Sequence, residues 1–134
     1  MADARLISAD SHFVAPPTMW AERLERRFRG RAPHAVRLDG KPGEYFVGED
    51  LAPAPLAAFF SAGVPAAEMP EFLQRGFAEA PKGVHDPAER IKDQDRDNVA
   101  AEVMYTSMGM PLCGRADAAF RAACFRAFND WATE

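Results

Sequence analysis

At 134 residues, 48% of them hydrophobic and 27% charged, the chain has the size and composition of one globular domain, which excludes a disordered tail or low-complexity linker. A net charge of -4 removes any general attraction for nucleic acid or an anionic membrane surface. With only Cys113 and Cys124, there is neither a disulfide framework nor a paired-cysteine zinc motif. Both cysteines are expected as small apolar residues, on a late helix and the loop before it. The opening MADARLISAD lacks the pattern of a signal peptide, and no apolar run approaches the ~18 residues of a membrane span. These features predict a cytoplasmic protein with no membrane partner.

The first predicted element is a strand, Leu6 to Ala9, a short apolar run that stops at Asp10. Pro16 and Pro17 then impose an extended turn, behind which Thr18 is placed to cap a helix. Trp20, Leu24 and Phe28 recur at every fourth residue and predict one amphipathic helix ending at Gly30. Val36 and Leu38, a turn over 39–43, and Tyr45 to Val47 read as a hairpin. The Ala- and Pro-rich stretch 51–81 predicts short helices joined by turns.

Asp86-Pro87 followed by Glu89 predicts a helix start with a reciprocal capping box. That helix is charged and is expected to stop at Asn98, a residue that tolerates the left-handed conformation. Its run from Lys92 to Asp97 reads as a solvated, self-paired face. Ala100 to Thr106 follows as a second strand, and Phe120, Cys124, Phe128 and Trp131 mark the apolar face of a last helix starting near Asp117. The order of strand, excursion, helix, strand and helix predicts an α/β fold with a parallel sheet. Residues 1–134 divide as a first strand (1–12), an insertion of helices and a hairpin (13–85), and a helix, second strand and helix (86–134).

Chemistry concentrates where the first strand ends. Asp10 and His12 lie two residues apart on a strand, so their side chains share one face while Ser11 points to the other. A carboxylate and an imidazole converging at a strand end suit a divalent metal ion. The same triplet also fits Asp10 capping a turn with His12 bonded to a loop. Ser107 and Met108 follow the second strand, on the rim shared with Asp10 if the strands are parallel, either lining a substrate pocket or forming an ordinary loop. His34, in the loop before the hairpin, and His85, ahead of the helix cap, are read as surface or packing residues.

The segment Ile7-Ser8-Ala9-Asp10-Ser11-His12-Phe13-Val14-Ala15-Pro16-Pro17, with Trp20 after it, resembles the opening of the ACMSD-like amidohydrolases, the amidohydrolase 2 group, in its acidic D-x-H form. Residues 86–105, from Asp86-Pro87-Ala88-Glu89-Arg90 to Val103-Met104-Tyr105, resemble that family's next helix and second strand. Relatives usually carry Met near the position of Gln94 and Gly at that of Asn98. Phe128-Asn129-Asp130-Trp131 is similar to the helix beyond, whereas 30–85 matches only in style.

The resemblance implies a TIM-type (β/α)8 barrel elaborated by an insertion after the first strand. It also implies one divalent metal ion, zinc first and manganese second. Asp10 and His12 would be metal ligands and Ser107 a substrate contact. The reaction implied is hydrolysis of a small carboxylated or aromatic molecule by a metal-activated water, with decarboxylation as the alternative. Such a barrel takes ~250 residues, so the chain is expected to be its amino-terminal part. The family's later histidine and its water-activating aspartate have no counterpart here. The isolated chain is therefore expected to be inactive, or a non-catalytic remnant, and to self-associate through exposed barrel surface.

Overall fold

The computed structural model describes residues 5–134. Two strands, β1 (Leu6–Phe13) and a later strand at Val99–Thr106, pair in parallel, from Leu6 opposite Val99 to Phe13 opposite Thr106. β1 runs three residues beyond Asp10, because the partner strand continues to offer hydrogen bonds as far as Thr106. Its register shifts between Ser8 and Ser11, a bulge that bends the strand just where Asp10 sits.

Between these strands in sequence come α1 (Met19–Arg23), a small antiparallel sheet of β2 (His34–Val36), β3 (Tyr45–Val47) and β4 (Ala54–Pro55), and the short α2 (Met69–Phe72). Then follow α3 (Pro87–Arg96), the second parallel strand β5 (Val99–Thr106) and α4 (Ala118–Ala132). The hairpin pairs His34 with Val47 and Val36 with Tyr45. Gly43 in its turn has φ +82°, and a Cβ there would stand 2.8 Å from the Gln74 backbone, so the position requires glycine twice over. His34 is the first residue of β2 rather than a loop residue.

The helix expected over Thr18 to Gly30 is broken. α1 ends at Arg23, Leu24 turns to an extended ψ of 147°, and a 3-10 turn follows at Arg29–Arg31. A continuous helix would stack Arg23 on Arg26 and Arg27, and Arg26 on Arg29, which repel at that spacing. The bend also brings the Phe28 ring within 5.7 Å of Phe120, so Trp20, Leu24 and Phe28 are all buried despite the lost periodicity. Thr18 is the residue before the helix but its side chain makes no capping bond. The Met19 N–H donates instead to the Pro16 carbonyl at 2.9 Å.

Ahead of α3, Asp86 accepts from the Ala88 and Glu89 amides at 2.8 and 3.2 Å. The reciprocal half of the expected capping box is not formed. The Asp86 N–H already donates to the Lys82 carbonyl at 2.9 Å, and Glu89 accepts from Lys92 at 2.6 Å. Asn98 ends the helix at φ 55°. Asp117 caps α4 through the Phe120 amide at 3.0 Å, and this bond, with Arg31 nearby, holds its carboxyl below the ordinary range.

The core lies between α1, the small sheet and α4, where Trp20, Phe46, Leu56, Leu112, Phe120 and Phe128 are buried. It does not lie on the parallel sheet. Ile7 is 72% exposed, and Leu6, Val103 and Tyr105 are also open to solvent. The excursion is thus where most of the apolar surface is removed from water, rather than an appendage to a sheet-centred core. Cys124 belongs to this core, and burial pushes its thiol up to about 11, so it packs as an inert apolar group. Cys113, expected to pack likewise, is exposed. Among the described residues no helix is long and apolar enough to cross a membrane.

Candidate functional site

Because β1 and β5 are parallel, their carboxyl ends meet at one rim. There the Asp10 Oδ1 and His12 Nε2 atoms approach to 3.3 Å, with both side chains open to solvent. The Tyr105 ring lies 6.2 Å from the His12 ring on the same face. The Ser107 N–H donates to the Phe13 carbonyl at 3.2 Å, tying the loop after β5 to the end of β1. Next, the Gly109 N–H donates to the Thr106 hydroxyl at 2.9 Å, a turn so close that a Cβ on Gly109 would meet the Thr106 side chain at 2.5 Å.

A cleft of about 460 Å³ opens beside this pair, lined by His12 and Ser107 with Phe59, Ser61, Met110 and Pro111 among its walls. His12 and Ser107 therefore share one cavity, while Met108, placed by sequence reasoning on the same rim, is fully buried in the core. The wall formed by Phe59 and Ser61 comes from the excursion and had no signal in the sequence, since nothing local places 59 beside 12. No lysine or arginine lines the cleft.

The opposite face of the same strands carries a network that sequence reasoning missed. Glu102 on β5 accepts from Arg90 Nε at 2.7 Å, Arg90 Nη2 at 3.0 Å, Gln94 Nε2 at 2.7 Å and Ser11 Oγ at 3.0 Å. Its side chain is only 9% exposed. The Arg90 guanidinium, helped by Gln94 and Ser11, holds the Glu102 carboxyl down to about 2 against the opposing effect of burial. The available signal was a carboxylate inside an apolar strand and, on the preceding helix, Arg90 and Gln94 four residues apart on one face. Elsewhere on α3, Lys92 pairs with Glu89 and Arg96 with Asp93 at 3.0 Å, whereas Asp95 pairs outside the helix with Arg5 at 3.1 Å.

The geometry bears on whether a metal ion fits. Two donors each ~2.0–2.1 Å from a tetrahedral ion stand about 3.3–3.4 Å apart, which matches the Asp10–His12 separation of 3.3 Å. The pair fits half of a coordination shell. Among the described residues no cluster of three or more metal-ligating side chains forms. His34 Nδ1 is engaged with the Ala32 carbonyl at 2.8 Å, and the His85 ring packs on Phe77 at 5.0 Å.

No family model matches the sequence, and no curated protein matches it. Among solved structures the chain is similar to an amidohydrolase from Mycobacterium avium subsp. paratuberculosis K-10, with a TM-score of 0.63 and 21% sequence identity. The match covers 98% of this chain and 38% of that one. The likeness is one of fold. This chain has a mixed α/β fold with a parallel strand pair, and it spans 38% of the length of that similar structure.

Proposed function

We propose that this chain forms the first part of a metal-dependent hydrolase of the amidohydrolase type, with Asp10 and His12 as the first two protein ligands of one divalent ion. The observation that carries this reading is the 3.3 Å approach of a carboxylate oxygen and an imidazole nitrogen at the carboxyl end of a parallel strand. Zinc suits this mixed donor pair best, with manganese second. When bound, such an ion supplies an acidified water near neutral pH.

The chain's own residues bind and shield. Asp10 and His12 hold the ion, the Ser107 hydroxyl orients a substrate polar group, and Phe59, Met110 and Pro111 exclude water from its apolar part. Apolar walls without a cation favour an aromatic or aliphatic body, leaving any substrate carboxylate to the ion. Among the described residues two protein donors converge where a catalytic zinc takes three, so this reading requires a third donor from outside them.

Isothermal titration with zinc tests the reading. One ion per chain is expected, with affinity at least tenfold weaker in His12→Ala and unchanged in His34→Ala. Stoichiometric binding that survives both His12→Ala and Asp10→Ala would sink it.

Association belongs to the same proposal. Among the described residues β1 and β5 pair only with each other, and Ile7, Val103 and Tyr105 lie exposed on them. Open strand edges beside apolar surface recruit other strands. Sedimentation velocity at tens of micromolar is expected to show species larger than a monomer, reduced by Ile7→Lys. A single monomeric boundary over that range would count against it.

A further inference from the structure

We propose that Arg90 and Glu102 form a positioning clamp that aims the Asp10 and His12 side chains from the opposite face of the sheet. The bulge leaves Ala9 and Asp10 without direct partners in the register with β5, between Ser8 opposite Glu102 and Ser11 opposite Met104. The ladder resumes at Ser11 opposite Met104 and His12 opposite Tyr105, so the bulge places Asp10 outside the paired register and His12 inside it, and two side chains whose directions must be set together straddle an irregular step.

The clamp adds restraint across that step at two points. Ser11, the residue between the two, donates its hydroxyl to Glu102 Oε1 at 3.0 Å. Arg90 Nη1 donates to the His12 main-chain carbonyl at 3.2 Å and to the Gly83 carbonyl at 3.3 Å. The same guanidinium grips Glu102 through Nε and Nη2, and Gln94 takes another place on that carboxylate. One planar group thus joins α3, β5, β1 and the turn before α3. A bidentate arginine–carboxylate pair has a fixed relative orientation, which a lysine cannot reproduce. Arg90 reaches His12 only at its main-chain carbonyl, and neither Arg90 nor Glu102 hydrogen-bonds the Asp10 or His12 side chain. They act through the backbone and side chain flanking the pair, as outer partners orient metal ligands elsewhere.

The consequence for metal affinity rests on the reading of Asp10 and His12 as ligands, whereas the consequence for their geometry does not. The experiment is therefore NMR on the metal-free full chain, followed by zinc titration. Ser11→Ala removes the bonds of this hydroxyl to Glu102 and, at 2.7 Å, to the Ser8 hydroxyl but leaves the Arg90–Glu102–Gln94 bonds in place, so its urea midpoint is expected to fall modestly while unfolding stays cooperative. Its His12 χ1 couplings are expected to become rotamer-averaged, and its Ser107 amide to exchange about tenfold faster while α4 amides stay unchanged. Arg90→Lys should do the same more strongly, and Ser11→Thr should restore the unmodified behaviour. Zinc affinity should fall roughly tenfold in Ser11→Ala.

A single His12 rotamer and unchanged Ser107 exchange in both Ser11→Ala and Arg90→Lys would overturn the clamp. Loosened His12 in a chain that takes no zinc would support the clamp and remove the metal reading alone.

Discussion

Trp20→Ala is expected to destabilise the chain by about 3–5 kcal/mol, the usual cost of deleting a fully buried indole. Trp20 is 0% exposed. Its ring centroid lies 5.8 Å from that of Phe46 and 6.3 Å from that of Phe128, so it joins the small sheet to α4. Its Nε1 donates to the Cys124 carbonyl at 3.1 Å, fastening α1 to α4 across 104 residues of sequence. A domain of this size has roughly 5–15 kcal/mol to lose, so the variant should give up between about a fifth and all of that margin. Urea unfolding followed by far-ultraviolet circular dichroism measures the effect. Trp20→Phe, which keeps a ring and loses the hydrogen bond, should fall well short of the alanine effect. A loss below about 1 kcal/mol in Trp20→Ala would mean that the core is not centred on this residue.

Acid should dismantle the sheet-to-helix junction before the core. Glu102 has its carboxyl lowered from 4.5 to about 2 in the folded chain. A group depressed in this way stabilises the folded state above its unfolded value and loses that contribution as the pH falls through the folded one. The loss should therefore run from about pH 4.5 down to about pH 2, and reach at most about 3 kcal/mol. Asp117, held by the Phe120 amide and by Arg31, and Glu134, held by Arg23, are shifted the same way and add to the same slope. Glu102→Gln should cost about 2–3 kcal/mol at neutral pH, because Arg90 stays largely buried without its counter-charge. It should also flatten the acid limb of stability against pH. An unchanged acid limb in Glu102→Gln would place the titrating group elsewhere.

The contrast between these two regions shows how far local pattern reaches. Asp86-Pro87 and Asn98 marked both ends of α3, because a cap and a left-handed stop depend on a few adjacent residues. The spacing of Phe120, Cys124 and Phe128 marked the buried face of α4 for the same reason. The Trp20, Leu24 and Phe28 spacing was correct about burial and wrong about shape. Periodicity reports which side chains seek the core, while the arginines and Phe120 decided where the backbone bends.

At the rim, the alternation of a strand sufficed to put Asp10 and His12 on one face with Ser11 on the other, and the structure has them at 3.3 Å. The Ser11–Glu102 bond joins residues 91 positions apart. Phe59 reaches the His12 cleft from inside the excursion. Neither contact has a local signature.

By itself, then, the sequence determined both ends of α3, the cap and buried face of α4 and the alternating faces of β1, since these follow from backbone geometry and a handful of neighbouring side chains. Only the tertiary structure decided that the core would form beside the parallel sheet, that a carboxylate on β5 would brace the strand carrying Asp10 and His12, and that the excursion would wall their cleft. Those outcomes depend on which surfaces meet when the chain closes on itself, and that is settled by burial and polar pairing between segments far apart in sequence.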